Sequence, residues 1–466
     1  MAIISNKTDL SKGPLFGKIV RFALPIMAMN FLQLLFNTAD MIVVGRFTGS
    51  ISLAAVGATG ALINLIVNFF MGLSVGTSVV VAQDYGANKP DAVSRSVHTT
   101  VIISALGGLL VMGLGLAFCK PLLTMMGTPD DIIDLSVLYM RIYFLGIPAS
   151  MIYNFSAGIL RAVGDSRRPM YYLVVSGIVN VLLNLFFITV LHMTVDGVAW
   201  ATTIAQYLAM TLILVCLYRS EGAIRLIPRQ LRVDREKLLQ IIRIGLPAGV
   251  QNLLFSISNV LIQSAVNSFG STMVAASSAS GNIESFVGTS MNAYYNAAIT
   301  FTGQNMGARQ YKRIDEVAKI CAMLIFGTWF VLGGSIVLFS RPLLSIYTTD
   351  LAVIELGMMR MRIMMMVYFT CGIMSVFPGL SRGMGFSVLP MISTLVGACL
   401  MRIIWLVTVF ALYPTPVMLF VSYPVTWTLA GMGQVAVFFY ARRRIAQRAI
   451  NERAAQQVVK LNQAYH

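Results

Sequence analysis

The stretch GILRAVGDSRRPM, residues 158–170, returns as GLSRGMGFSVLPM at 379–391, aligning Arg161 with Arg382, Gly164 with Gly385 and Pro169 with Pro390. Outward from it, the same 221-residue offset pairs AQDYGA (82–87) with GQNMGA (303–308) and MRI (140–142) with MRI (361–363). IVRFALP (19–25) and IIRIGLP (241–247) match at an offset one residue longer. Chance does not keep one register over so many motifs, so the chain reads as an internal duplication.

Composition says what is duplicated. Of the 466 residues, 57% are hydrophobic and 11% charged, and the mean hydropathy is +0.78, far from a water-soluble globule. Apolar runs of about 20 residues or more predict twelve transmembrane helices. They lie near 20–45, 53–82, 96–119, 135–160, 170–191, 196–218, 241–267, 273–304, 317–339, 355–380, 388–412 and 417–441. The expected fold is an all-α polytopic membrane protein with two pseudo-symmetric six-helix lobes, 1–218 and 241–441, joined by a cytoplasmic linker, 219–240, and followed by a basic cytoplasmic tail, 442–466. Because six is even, both copies enter the membrane in the same sense, like the parallel repeats of secondary transporters, whose substrate sites lie at the repeat interface. The start, MAIISNKTDLSKGPLFGK, is polar and basic and runs straight into a long helix, so no cleaved leader is expected.

The formal charge of +16 follows topology. Most of the 34 basic residues fall on one side of the expected membrane. They include Lys7, Lys12, Lys18 and Arg21 at the start, Arg161, Arg167 and Arg168 after the fourth span, and Arg442, Arg443, Arg444, Arg448, Arg453 and Lys460 in the tail. The positive-inside rule then puts both termini in the cytoplasm of a multi-pass cell-membrane protein. The clusters are short and not interleaved with aromatics, which argues against nucleic acid. Cys119, Cys216, Cys321, Cys371 and Cys399 contain no CxxC, and His98, His192 and His466 lie far apart, so neither disulfides nor a metal site is expected.

Polar residues inside the spans carry the functional reading. Asp40 sits in FNTADMIVVG (36–45), where an acid costs about 3 kcal/mol on insertion scales and marks a functional position by default. Asn30, Gln33, Asn37 and Asp40 are spaced three, four and three, which stacks them on one helix face as a polar cavity stripe. Amides alone would serve as interhelical glue; the acid points to ion coupling. Ser176, Asn180 and Asn184 form a second stripe on the fifth span, and the sixth opens with Trp200, Thr202, Thr203 and Gln206. The seventh repeats the first stripe as Asn252, Ser256, Asn259 and Gln263, with Ile262 where the first copy has Asp40. Glu284 in the eighth span reads as a second acid, a substrate contact or one half of an arginine pair. Arg402 is its candidate partner or an anion-attracting cavity residue. Tyr294, Tyr295 and Trp200 are candidate aromatic contacts for a cation, and the methionine-rich MMRMRIMMM (358–366) suits an adaptable surface or plain helix filling.

These motifs make the chain resemble the multidrug and toxic compound extrusion family over nearly its whole length. The resemblance rests on the Pro25-containing first span with Asp40, on Gln83, Gly86 and Ala87 with their echo Gln304, Gly307 and Ala308, and on LRAVGD (160–165) before Pro169. It implies a V-shaped twelve-helix fold, no enzyme activity, no cofactor, and export of amphipathic, often cationic organic compounds driven by H⁺ or Na⁺. The chain is closer to the DinF-like than the NorM-like branch, because acids are missing from the cores of the seventh and tenth spans. In the DinF-like pattern the coupling site maps to Asp40, Asn180, Asn184 and Thr202. That pattern has an acid where this chain has Asn184, which weakens a sodium site, since hard cations favour charged oxygens, and favours protons. Pro25 is the implied hinge.

A flippase for lipid-linked sugars, from the same wider superfamily, is the nearest alternative, but it would carry more spans and a more basic groove. An intramembrane enzyme would need paired aspartates, a Ser/His couple or HExxH, and the spans hold none. Small organic molecules, the coupling ion and the bilayer are the expected partners, with the monomer as the working unit.

Overall fold

The computed structural model describes Leu10 and residues 12–465, apart from the side chains at 50, 53, 61 and 452–465. Lys7, His466 and the side chains of Arg453 and Lys460 lie outside the described residues. Helices follow in the order α1 (Leu15–Phe47), α2 (Gly49–Gly86), α3 (Pro90–Met125), α4 (Asp130–Ala162), α5 (Arg167–Thr189), α6 (Val195–Arg219), α7 (Arg235–Asn267) and α8 (Ser271–Gly307). After them come α9 (Tyr311–Leu338), α10 (Leu351–Met366), α11 (Tyr368–Gly383), α12 (Val388–Phe410) and α13 (Pro416–Tyr465). No strand occurs among the described residues.

Among the described residues, nine helices are singly long and apolar enough to cross a membrane, and α10 with α11 forms a tenth span bent by 54°. The helices α8 and α13 complete the twelve. Both exceed membrane length, at 37 and 50 residues, but α8 carries the polar run SSASGNIES and α13 extends into the basic tail. The expected tenth span, 355–380, is thus two helices. The indole N–H of Trp329 donates to Met365 O at 2.6 Å, giving that carbonyl a side-chain partner at the break, a recognised cause of sharp bends.

The duplication is visible in backbone conformation. Left-handed φ values recur at the 221-residue offset: Gly49 (87°) with Gly270 (88°), Asn88 (55°) with Arg309 (57°), and Gly164 with Gly385, both 91°. Their hydrogen bonds recur too. Gly164 N–H donates to Arg161 O at 2.9 Å and Gly385 N–H to Arg382 O at 2.8 Å, closing the same helix-ending turn twice.

The chain divides into two compact units, Met1–Ser256 and Ile257–His466. In the first, α4 is the central helix, with apolar and small residues buried on every side. Glycines let its neighbours approach. A Cβ on Gly108 of α3 would sit 2.5 Å from Pro148 Cα, and one on Gly115 would enter the Phe144 ring. The division falls inside α7 because the first part of that helix packs within the first unit. There Gly245 and Gly249 meet the backbone of α2 around Leu73 and Phe69, Gly72 lies against Gly249, and Asn252 Nδ2 donates to Asn68 O at 3.1 Å. This is the small-residue packing that membrane helices use in place of a hydrophobic driving force.

The linker is docked in the same unit. His98 Nε2 accepts from Ile227 N–H at 3.1 Å, Thr99 Oγ1 accepts from Asp234 N–H at 2.9 Å, and Lys237 pairs with Asp84 at 2.7 Å. The Lys237 N–H, with Arg95 beside it, holds the Asp234 carboxyl below the usual carboxylate range. In the second unit α8 is central, burying residues from Met273 to Asn305 against α9, α10 and α11. Three π-helical stretches, Trp329–Gly333, Leu395–Leu400 and Leu406–Phe410, all belong to this unit among the described residues.

Candidate coupling site

In the first unit, α1, α5 and α6 bring Asp40, Asn180, Asn184 and Thr202 together. Asn184 Nδ2 donates to Asp40 Oδ1 at 2.5 Å. With its amide turned to face the carboxylate, Asn180 donates to Asp40 Oδ1 at 2.9 Å and Oδ2 at 3.2 Å, while its carbonyl accepts from Thr202 N–H at 3.2 Å. That orientation satisfies both ends of the amide; the opposite one sets amide oxygen against carboxylate and leaves a 3.3 Å bond from Nδ2 to Thr202 Oγ1. The four-residue spacing on α5 makes this possible, since Ser176, Asn180 and Asn184 share one buried stripe.

Asp40 itself is half-buried, and no lysine or arginine pairs with it among the described residues. Val43, Val44, Ile142, Ile188 and Val198 pack with Tyr139 in one apolar cluster. Tyr139 lies within electrostatic reach of Asp40 and stacks on Tyr143, ring centres 6.3 Å apart. Sequence reading overlooked these two tyrosines. Their four-residue spacing in YMRIY was the available signal, but spacing does not say which helix a face meets. Asn184 Oδ1 is buried without a hydrogen-bond partner, so the site keeps one free acceptor beside the carboxylate.

The other candidates disperse. Asn30 is half-buried, whereas Gln33 and Asn37 are exposed. Thr203 bonds back to Ile142 O at 3.0 Å, and Trp200 is 39% exposed. Pro25 lies in an unbroken α1, beside an apolar groove of about 540 Å³ lined by Phe16, Val20, Leu24 and Arg167 among others.

In the second unit Asn259 Oδ1 accepts from Arg402 Nη1 at 2.8 Å, and Gln263, which is exposed, donates to Asn267 at 2.9 Å. Tyr294 shares a 2.7 Å hydrogen bond with Thr328, and Tyr295 OH accepts from Arg382 at 2.5 Å. Glu284 pairs at 3.0 Å with Arg360, a residue read at first only as part of a methionine-rich run. Arg402, its expected candidate partner, instead lies over the Tyr423 ring at 4.7 Å.

Comparison with known proteins bears on the fold and the family. The MatE family profile matches residues 25–186 and 247–408, one match in each copy of the duplication. A probable multidrug resistance protein of Bacillus subtilis, YoeA, is 29% identical over 353 residues, covering 73% of this chain and 75% of its own. A FAD transporter of Shewanella oneidensis is 23% identical, with 80% and 83% covered. The solved structure of a multidrug resistance MATE family transporter in an outward-facing conformation superposes with a TM-score of 0.87 over 95% of this chain and 98% of that one, at 24% identity. Two matched halves and twelve helices in two pseudo-symmetric lobes agree: this chain belongs to the MatE family, and is a multi-pass membrane transporter rather than an enzyme.

Proposed function

We propose that this protein is a cation-coupled antiporter, driven by protons in preference to sodium ions, that exports amphipathic and often cationic organic compounds from the cytoplasm by alternating access. The observation that carries the reading is Asp40, a membrane acid clasped by two neutral amides and no base. A carboxylate in that setting gives up part of its hydration without a compensating cation, so gaining and losing a proton is within thermal reach.

The orientation of the amides favours H⁺. Two NH₂ groups point at the lone pairs a sodium ion would need, and the one free acceptor, Asn184 Oδ1, falls short of the oxygen shell that hard cations take. Protonation removes the charge that makes the Asn180 and Asn184 bonds charge-assisted, roughly halving their strength, and so loosens α1 from α5. Pro25, whose ring removes one rung of the α1 ladder, is the position at which α1 would then bend. The multidrug names of relatives such as YoeA support organic substrates and outward transport. The distribution of basic residues supports a plasma-membrane protein with cytoplasmic termini; the proposed working unit is the monomer.

The test is dye or drug efflux driven by an imposed pH gradient in proteoliposomes, comparing the parent with Asp40→Asn. Loss of gradient-driven efflux with normal insertion is expected, and replacing Na⁺ with K⁺ at fixed pH should change nothing. An Asn variant that pumps like the parent would end the coupling assignment.

A further inference from the structure

One recess of the first unit has no part in the coupling site. Phe16, Val20 and Leu24 recur every four residues on α1 and give an open groove of about 540 Å³ its apolar lining, which Arg21, Pro25 and, from the first turn of α5, Arg167 complete. Gly17 leaves room in it, since a Cβ built there would meet nothing within 4 Å. From Phe16 to Ala28 the groove follows α1 over twelve residues, about 18 Å at helical rise and close to one leaflet of a ~30 Å hydrocarbon core.

The two cations of the groove are uncommitted, whereas the one next to them is not. Arg168 is held by Asp165, whose carboxylate also accepts from the backbone N–H groups of Arg167 and Arg168 at 3.1 Å each, so the start of α5 is already capped. The Arg21 and Arg167 side chains are exposed, and neither pairs with an acid or donates a hydrogen bond among the described residues. The first turn of α1 contains no acid either. Guanidinium meets phosphate in two-bond geometry, and basic pockets between membrane helices take anionic headgroups. An occupant therefore has to bring an apolar chain and a negative charge together. A second copy of this chain, at +16, brings the wrong sign, and the residues before α1, MAIISNKTD, set Lys7 against Asp9.

We propose that this groove is a binding site for an anionic glycerophospholipid of the surrounding bilayer, of the phosphatidylglycerol type, with one acyl chain along Phe16, Val20 and Leu24 and the phosphate held by Arg21 and Arg167. Gly17 keeps the path of the chain clear. The ordinary lipid belt around membrane helices selects no headgroup; this site does, because its apolar recess and its two free cations lie together. The proposal goes beyond the export reading and does not depend on what Asp40 does.

The experiment is native mass spectrometry of the purified, delipidated full-length protein released from detergent. The protein is titrated with palmitoyl-oleoyl phosphatidylglycerol and, separately, with the phosphatidylcholine of the same chains. The first phosphatidylglycerol is expected to bind about tenfold more tightly than the first phosphatidylcholine. Arg21→Gln combined with Arg167→Gln should abolish that preference. Arg225→Gln combined with Arg229→Gln, which removes the same charge from exposed positions of the linker, should keep it. Gly17→Leu, a change favourable to the helix, should fill the groove with both arginines intact and weaken the first phosphatidylglycerol about fivefold. Equal binding of the two lipids would overturn the proposal, as would a preference that survives the Arg21 and Arg167 changes or is lost equally with the linker pair. Parent-like phosphatidylglycerol binding by Gly17→Leu would overturn it too. So would a dimer that Gly17→Leu dissolves, because a second copy would then be the occupant.

Discussion

The two copies of the duplicated unit each keep one acid in the membrane, and they treat it in opposite ways. Asp40 meets the amides of Asn180 and Asn184 and no cation, whereas Glu284 is locked to Arg360 with the Ser277 and Ser280 oxygens closing around the guanidinium. An acid among neutral donors can change its protonation at small cost. One in an ion pair must first give up the pair, and breaking a buried pair by removing one partner costs about 3–5 kcal/mol. The difference teaches that a membrane carboxylate is assigned by its partners, and that position in the span says little.

The largest effect that would break this comparison is on transport. Asp40→Asn is expected to lower proton-driven efflux at least about a hundredfold, equivalent to roughly 3 kcal/mol of lost driving step, with little change in thermal stability. Glu284→Gln should do the reverse, lowering stability by about 3–5 kcal/mol because Arg360 is left unpaired. The double change Glu284→Gln with Arg360→Met should recover most of it. Thermal unfolding of the purified proteins, beside efflux in proteoliposomes, checks both; a Glu284→Gln protein as stable as the parent would erase the distinction.

A smaller effect would sharpen it. Asn184→Asp restores a second acid 2.5 Å from Asp40, where the parent has an amide nitrogen. Two carboxylates at that separation cannot both stay ionised unless a cation joins them. Efflux by this variant is expected to become sodium-dependent, falling about fivefold when Na⁺ is replaced by K⁺, while the parent is indifferent to the exchange.

How far these sites could be read from residues alone follows the same physics. Helical periodicity on α5 aligned Asn180 with Asn184, and the expected constellation with Asp40 and Thr202 is one the folded chain brings into contact. Periodicity fixes which residues share a face and is silent on what that face meets. For that reason Tyr139, Arg360 and the exposure of Gln33 and Asn37 were not legible. The bend within the expected 355–380 span was not legible for a related reason: at the break Met365 O accepts from Trp329, a side chain on another helix. The helix α8 was expected from its length as the run 273–304, and it spans Ser271–Gly307 although it carries the polar stretch SSASGNIES.

The smallest effect tests whether the copies still share their backbone energetics after their chemistry diverged. Gly164 and Gly385 end α4 and α11 at the same φ of 91°, each closing its turn onto an arginine carbonyl. An alanine at either position meets the left-handed penalty of about 1–2 kcal/mol. The side chains around the two turns differ, with Asp165 bonding Arg168 in the first and Phe386 standing in its place in the second. If the penalty lies in the backbone, Gly164→Ala and Gly385→Ala should lower thermal stability by the same amount within about 0.5 kcal/mol. A clear inequality would mean that the Asp165–Arg168 pair, and with it local side-chain chemistry, sets the strength of the turn.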